Sequence, residues 1–571
     1  MRKITVSLLV AFLFLTIAGT APTGRIPVYA KNGMVVSASV IASEIGRDIL
    51  KRGGNAVDAA VATAFALAVT WPTAGNIGGG GFIVYADKTG KTTTIDFREK
   101  APLAATDKMY LDSSGNVIKD LNHEGILSVG VPGTVAGLYL AHTRYGKLPW
   151  ADLVDPAVRL ASKGIPFTYA LHQQTKGLKK EFDKYPSTKK VMYKNGTDYF
   201  EPGEIWKQPD LAATLKKIKK NGRDGFYKGE VAEKLAAFMK TNGGLITQED
   251  LLKYEAIERE PLTGSYRGYT IKTMPPPSSG GVALIEMLSI LEGFNLDSLG
   301  YKSSDYVHVV AEAMRRAYAD RAEFLGDPDF NPDMPVTKLI SKEHAAKMRK
   351  TISMEKTSPS DSTRFGQLYE SAGNTTHLSV VDKEGNAVSL TYTLEENYGS
   401  KVVAEGLGFF LNDEMGDFNP QPGVTTSKGQ IGTKPNLIIP GKRMLSSMTP
   451  TILLKDGKPV LIVGSPGGRT IINSVLQVIL NHVDHKMSIG QAVEMPRFHH
   501  QWLPDQISFE HFSLSLDVQS KLKEKGHHLD ERPIGQLWYP GHAMSILVDH
   551  TTGYRMGAAD SRAADGGAAG Y

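Results

Sequence analysis

The stretch from Thr375 to Thr393, TTHLSVVDKEGNAVSLTYT, restricts the fold more than any other part of the chain. On either side of Lys383, Glu384 and Gly385 lie runs rich in Val, Leu, Thr and Tyr, the pattern of two antiparallel strands joined by a tight loop. With Gly385 in the left-handed position of a three-residue loop, Asp382 faces Asn386, and counting outward sets Thr375 opposite Thr393. Directly opposed residues on one face of a sheet have Cβ atoms roughly 5 Å apart, so one threonine hydroxyl reaches the other. A one-residue slip in the loop would undo the pairing. Read alone, the stretch also fits an ordinary threonine-rich hairpin, because threonine is a favoured strand residue.

The rest of the chain supplies layers for such a hairpin to lie between. Ser43 to Arg52 reads as an amphipathic helix stopped by Gly53 and Gly54, and Asn55 suits an N-cap with Asp58 in the following first turn. Ala56 to Val69 is apolar on nearly every face, so this helix must be buried between layers. Gly78 to Gly81 lacks both the GxGxxG spacing and a following Gly-Lys-Ser/Thr, so close backbone packing explains it better than phosphate binding. Phe82 to Ala86 and Thr92 to Phe97 read as strands, with Arg98 at the end of the second. From Leu138 to about Met354 the pattern is mainly helical, broken near Pro275 to Gly281, and from Thr357 to Asn374 it becomes a polar loop. No repeat or low-complexity linker divides the 571 residues into independently folding domains.

Arg2 and Lys3 followed by ITVSLLVAFLFLTIA read as a signal peptide, so the protein is expected to be exported. Cleavage after Ala30 fits the small-residue rule; cleavage after Ala21 would leave a proline next, and an uncleaved anchor is the other reading. Cysteine is absent, which excludes disulfides, a thiol nucleophile and cysteine-ligated zinc. A net charge of +5 is mild at this length, and the lysines at Lys176 to Lys190 and Lys216 to Lys220 look like solvated helix faces. Nucleic acid is not an expected partner; an anionic polymer could be drawn to those lysines.

Several residues can carry chemistry. A threonine hydroxyl needs a base beside it, and a free α-amine on the same residue serves if the backbone is cut before Thr375; roughly 15% of such an amine is neutral at pH 7. Leu461 to Gly464, then SPGG, then RTIINSVLQVIL reads as strand, glycine turn and helix, which aims backbone N–H groups at a small space suited to an oxyanion. A purely structural glycine turn fits too. His499 and His500 are adjacent, point in different directions and have no helpfully spaced third ligand, so they read as structural. Ser520 to Lys523 has the Ser-x-x-Lys spacing but none of the companion motifs, a coincidence.

From Gly33 through GGNAVDAAVA, AGNIGGGGF, IDFREKAP, GVPGTVAG, PPPSSGG, LSSMTPTI, GSPGGRT and PRFHHQWLPD to AAGY, the chain resembles γ-glutamyltransferases in family order. The resemblance implies an α+β, four-layer αββα sandwich of the N-terminal nucleophile hydrolase type. It implies a precursor: a leader to about residue 30, a large subunit from 31 to 374 and a small subunit from 375 to 571, paired as a heterodimer after Thr375 attacks the carbonyl of Asn374. Thr375 would then be the catalytic nucleophile, Thr393 its support, and the N–H groups of Gly467 and Gly468 the oxyanion hole. Arg98, with Ser446 and Ser447, would hold the α-carboxylate of a γ-glutamyl group, and Asp417 its α-ammonium. Glu395 stands where several members carry Asn and Glu414 where some carry Gln, both near the ammonium site. The segment Pro420 to Lys442 has the length of a lid, but Lys428 replaces an aromatic found in some relatives.

The implied reaction needs no cofactor. It passes the γ-glutamyl group of glutathione or glutamine through a Thr375 ester to water, an amino acid or a peptide. The rivals are an enzyme of the same family acting on poly-γ-glutamate and an exported binding protein for γ-glutamyl compounds.

Overall fold

A computed structural model describes residues 25–360, 373–424, 432–532 and 541–571. Most of the leader, residues 361–372 of the polar loop, and Lys428 in the expected lid lie outside the described residues.

In chain order, the strands of the two large sheets are β1 (Val28–Ala30), β2 (Met34–Ser37), β3 (Gly80–Ala86), β4 (Thr92–Asp96), β5 (Ile257–Arg259), β6 (Leu262–Tyr266), β7 (Tyr269–Thr273), β8 (Gly373–Val381), β9 (Ala387–Glu396), β10 (Thr451–Lys455), β11 (Lys458–Val463), β12 (Met544–Val548), β13 (Arg555–Ala559) and β14 (Gly567–Gly570). One seven-stranded sheet runs β14, β2, β8, β9, β3, β4, β5, and the other runs β1, β13, β12, β11, β10, β7, β6. The predicted hairpin is β8 and β9, at the centre of the first sheet. Its register pairs Thr375 with Thr393, Asp382 N–H donates to Asn386 O at 3.0 Å, and Gly385 has φ +98°, as the loop count requires.

The alternation along the hairpin explains the layers. Leu378, Val380, Leu390 and Tyr392 point outward into an apolar cluster shared with helix α2 (Ala56–Thr70), and Tyr392 OH donates to Ala64 O at 2.9 Å. The opposite face carries Thr375, His377, Ser379, Ser389, Thr391 and Thr393 toward the second sheet. Ser379 Oγ donates to Met544 O at 2.8 Å and Ser389 Oγ to Val463 O at 3.1 Å, so hydroxyls tie the two sheets together.

Helix α2 is buried along its whole length and starts with the Asn55–Asp58 capping box. It is covered on its outer side by α1 (Val40–Lys51) and α3 (Trp150–Lys163). Full burial of side chains such as Phe65 and Leu67 contributes about 1.5–3 kcal/mol each. The second sheet is covered by α4 (Gly280–Leu291), with α5 (Ser304–Phe324) and α6 (Lys342–Lys350) behind it, and by α7 (Thr470–Val483) and α8 (Ile489–Glu494). The order is helix, sheet, sheet, helix: the αββα sandwich.

One expectation changes and one gains a structural setting. The stretch read as mainly helical contains β5, β6 and β7. The turn at Arg267 and Gly268, with φ +47° and +83°, folds β6 against β7 at the edge of the second sheet. And Val28 to Ala30 is the paired strand β1, with Ala30 opposite Arg555, so cleavage after Ala30 would remove an edge strand. Among the described residues no helix is long and apolar enough to cross a membrane.

Candidate active site

A narrow cleft opens at the head of the hairpin, lined by Arg98, Thr375, Thr393, Glu395, Glu414, Asp417, Ser446, Ser447 and Gly468 among others. Sequence reading named these nine separately; the fold brings them to one place.

Thr375 and Thr393 are both buried, and the hydroxyl of Thr375 donates to Thr393 Oγ1 at 3.3 Å. Thr393 Oγ1 also accepts the backbone N–H of Glu395 at 2.8 Å, which fixes the rotamer that faces Thr375. Just beyond this pair the register shifts: Gly373 faces Glu396, so two residue steps on β8 oppose three on β9. The extra residue is taken up around Glu395, whose φ of +84° is unusual for a side-chain-bearing residue, and the bulge places its carboxylate in the cleft. Asn374 continues β8 at the peptide bond before Thr375.

The glycines pack as expected. A Cβ on Gly79 would lie 2.0 Å from Thr393 O, and one on Gly81 2.4 Å from Thr391 O. Asn76, in the same motif, donates Nδ2 to Thr393 O at 2.8 Å and accepts Gly79 N–H at 2.9 Å, so this loop holds the backbone of the supporting threonine.

Gly467 and Gly468 form the turn between β11 and α7, with φ +126° and +55°. Thr470 folds back on the turn, donating both its N–H and its hydroxyl to Gly467 O. Among the described residues no backbone carbonyl takes the N–H groups of Gly467 or Gly468. Gly468 lines the cleft; Gly467 lies one residue behind it.

Arg98 follows β4 and is 1% exposed. Its guanidinium pairs with Glu414 and Asp417, with Glu99 3.7 Å away. Leu445 O accepts a further N–H at 3.2 Å. Burial alone would lower the affinity of Arg98 for its proton; the charges of Glu414 and Asp417 outweigh this and hold it raised. Burial pushes Glu99 up to about 8, against the pull of Arg98, so at neutral pH it is mostly protonated. Burial likewise holds Glu414 well above the usual carboxylate range and raises Asp417, with Arg98 opposing both.

Ser446 and Ser447 are placed by a second motif. Ser279 N–H donates to Ser446 O at 2.8 Å, and Ser278 and Ser446 form a parallel bridge, so PPPSSGG and LSSMTP are joined side by side. Arg321 of α5 donates to Ser279 Oγ at 2.8 Å and to Ser447 Oγ at 3.0 Å. Sequence reading missed Arg321, and also His123, whose Nδ1 lies 3.6 Å from Glu395 Oε2. Burial pushes Glu395 up, but the hydrogen bond and charge of His123 outweigh it and its carboxyl is lowered overall. Neither residue sits in a local pattern that signals its role; only the fold brings them to the cleft.

The discounted features stay outside it. His499 hydrogen-bonds Asn473 and Gln501, while His500 engages Asp505 and Trp502, two separate networks. Ser520 and Lys523 lie on the short surface helix Leu516–Glu524. Lys179, Lys184, Lys217 and Lys219 pair with Asp183, Glu124, Glu230 and Asp155, which removes much of their pull on a polymer. In the segment with the length of a lid, Asn436 Nδ2 donates to Asp417 O at 2.7 Å, which ties this loop to the backbone of a cleft residue.

A threonine pair heading a central hairpin of an αββα sandwich is the arrangement of N-terminal nucleophile hydrolases. The sequence profile named Gamma-glutamyltranspeptidase matches residues 42–571. A glutathione hydrolase proenzyme of Pseudomonas sp. (strain A14) is 49% identical over 500 residues, 88% of this chain and 87% of the relative. The crystal structure of cephalosporin acylase from Bacillus halodurans superposes with a TM-score of 0.83 at 28% identity, covering 97% of this chain and 98% of that one. That of Helicobacter pylori gamma-glutamyltranspeptidase gives 0.56 at 46% identity, covering 60% and 95%. The chain belongs to the gamma-glutamyltranspeptidase family.

Proposed function

We propose that the chain is the precursor of an exported γ-glutamyltransferase that cuts itself between Asn374 and Thr375 and then hydrolyses or transfers γ-glutamyl groups of glutathione-type amides. One observation carries this reading: the Thr375–Thr393 pair shares a single cleft with Arg98 and Asp417, a cation and an anion suited to a zwitterionic acyl group.

In the first stage Thr375 Oγ1 adds to the carbonyl of Asn374. The tetrahedral carbon collapses with loss of the Thr375 nitrogen, leaving an ester, and water cleaves it to give the Asn374 carboxylate and a free Thr375 α-amine. In the second stage that amine takes the hydroxyl proton as Thr375 Oγ1 attacks the γ-carbonyl of the donor. The N–H groups of Gly467 and Gly468 hold the oxyanion, an effect worth about 3–4 kcal/mol per donor in other hydrolases. The leaving amine takes the proton, and water or an acceptor amine then releases the γ-glutamyl group. The donor's α-carboxylate lies against Arg98, Ser446 and Ser447, and its α-ammonium against Asp417, Glu395 and Glu414. Because Arg98 and Asp417 already neutralise each other, a zwitterion enters without leaving net charge buried. The β1 pairing supports a leader that ends before Val28, nearer Ala21 than Ala30.

Three experiments test the reading. Intact mass and N-terminal sequencing of purified protein should give two chains, the smaller starting at Thr375. Thr375→Ala should remain one full-length, inactive chain, and two-chain material from it would overturn the assignment. A donor lacking only the α-ammonium should be turned over roughly 100-fold more slowly than glutathione, since it leaves buried carboxylates unmatched. Equal rates would move the acyl group out of this cleft.

A further inference from the structure

Behind the pocket wall, three helices bring Glu286 of α4, Asp320 of α5 and His344 of α6 together, with one ligand-type atom of each within 4.8 Å of the others. His344 Nε2 lies 2.7 Å from Asp320 Oδ2 and 3.5 Å from Glu286 Oε1. Glu286 is 1% exposed, and neither of its carboxylate oxygens has a hydrogen-bond partner among the described residues. The nearest donor to this buried carboxylate, His344 Nε2, is turned to Asp320 instead, and a buried carboxylate left so under-satisfied is rare in a folded protein and marks room for a further partner.

We propose that Glu286, Asp320 and His344 form a site for a divalent transition-metal ion. The donor set, one imidazole and two carboxylates, suits Zn²⁺ or Mn²⁺ better than Mg²⁺ or Ca²⁺, which favour all-oxygen shells. Ligands about 2.1 Å from a tetrahedral ion are about 3.4 Å apart: the 3.5 Å separation of His344 and Glu286 matches, and the 2.7 Å hydrogen bond of His344 to Asp320 has to open by roughly 0.7 Å to admit the ion. Asp320 keeps 16% of its side chain exposed, which gives the ion an entrance and leaves a coordination position for water. The competing arrangement is a protonated His344 shared by the two carboxylates, and the ion would displace that proton.

The site also has a place in the architecture. Asp320 directly precedes Arg321, which holds Ser279 and Ser447, and Glu286 lies on the helix that Ser279 leads into. An ion here staples the two helices that support the serine wall of the cleft, about two side chains away from any reacting atom. Its role is structural.

Mature protein stripped with EDTA and dialysed against Zn²⁺ should take up one equivalent by elemental analysis, above the level of a Glu286→Gln variant treated identically. Glu286→Gln, Asp320→Asn and His344→Gln should each weaken uptake by at least about 10–100-fold. Zn²⁺ should raise the unfolding temperature of the unmodified protein and not of Glu286→Gln. Circular dichroism identifies any variant that fails to fold, and the near-isosteric Glu286→Gln and the partly exposed Asp320→Asn give two independent readings. No uptake by the unmodified protein overturns the proposal, and so does uptake that persists in all folded variants.

Discussion

Arg98 is the residue on which the charge balance of the cleft turns. It is the buried cation paired directly with Glu414 and Asp417, with Glu99 beside it, and removing it would strand carboxylates that burial already raises. Lysine would keep the charge but lose the planar fork that grips a carboxylate with two parallel bonds. Arg98→Lys is therefore expected to cost about 2–3 kcal/mol in donor recognition, roughly 30–150-fold in kcat/KM for glutathione hydrolysis. Self-cleavage should continue, because no hydrogen bond joins Arg98 to Thr375; gel analysis alongside steady-state kinetics checks both halves. An unchanged kcat/KM would remove Arg98 from the donor site. Arg98 was legible because it ends a strand inside a longer recognisable motif. Arg321 and His123 were not: a lone arginine in a helix and a lone histidine in a loop look like surface residues until folding sets them against Ser447 and Glu395.

At the scale of elements, the hairpin depends on backbone closeness more than on any side chain. β9 lies against β3, and the Gly79 end of β3 approaches Thr393 O so closely that a Cβ would sit 2.0 Å from it. Gly79→Ala must therefore push the head of β9 outward, and Thr393 with it. The expected cost is about 1–3 kcal/mol of stability, with slower self-cleavage and lower activity although no reacting group has changed. Thermal unfolding and the time course of two-chain formation measure this; wild-type maturation in a normally folded Gly79→Ala protein would show that the register tolerates the shift. The same closeness explains what the sequence disclosed. Period-two alternation plus a glycine loop determined the β8–β9 register to the residue. The β6–β7 hairpin escaped because its strands are short, polar on one face and set between helices, so the helical context overrode the Arg-Gly turn signal. The bulge at Glu395 was also hidden, since nothing in Leu-Glu-Glu announces a positive φ.

The whole molecule carries a pH dependence that no single element shows. His377 and His527 are lowered to about 3, and His499, His500 and His542 to about 4, in each case chiefly by burial. In the unfolded chain each titrates near 6.5. Below about pH 6.5 the unfolded state therefore binds protons that the folded state refuses, and each histidine costs about 1.4 kcal/mol per pH unit until its folded value is reached. Buried carboxylates work the other way over part of the range. Glu99 is raised to about 8, and Asp413 and Glu414 lie well above their ordinary values, all chiefly through burial. Between their folded values and about 4.5 they take protons in the folded state first, which adds stability as the pH falls. Below about 4.5 both states hold those protons and the compensation stops growing. The histidine loss continues, joined by Glu312, which Arg315 and neighbouring hydrogen bonds lower to about 2 against the penalty of its burial. Just below pH 4.5 the unfolded chain binds about four to five more protons than the folded one, roughly 6 kcal/mol per pH unit, and the excess shrinks as the pH passes about 4, where His499, His500 and His542 take protons in the folded state too. The expected curve is a shallow decline from neutral pH to about 4.5 and collapse within about one further unit. Urea titrations of the mature protein, followed by tryptophan fluorescence at steps across that range, read it directly. A midpoint that falls steeply from about pH 6.5 would mean the buried carboxylates are ionised, and one that holds to about pH 3 would mean the histidines are not kept neutral by burial.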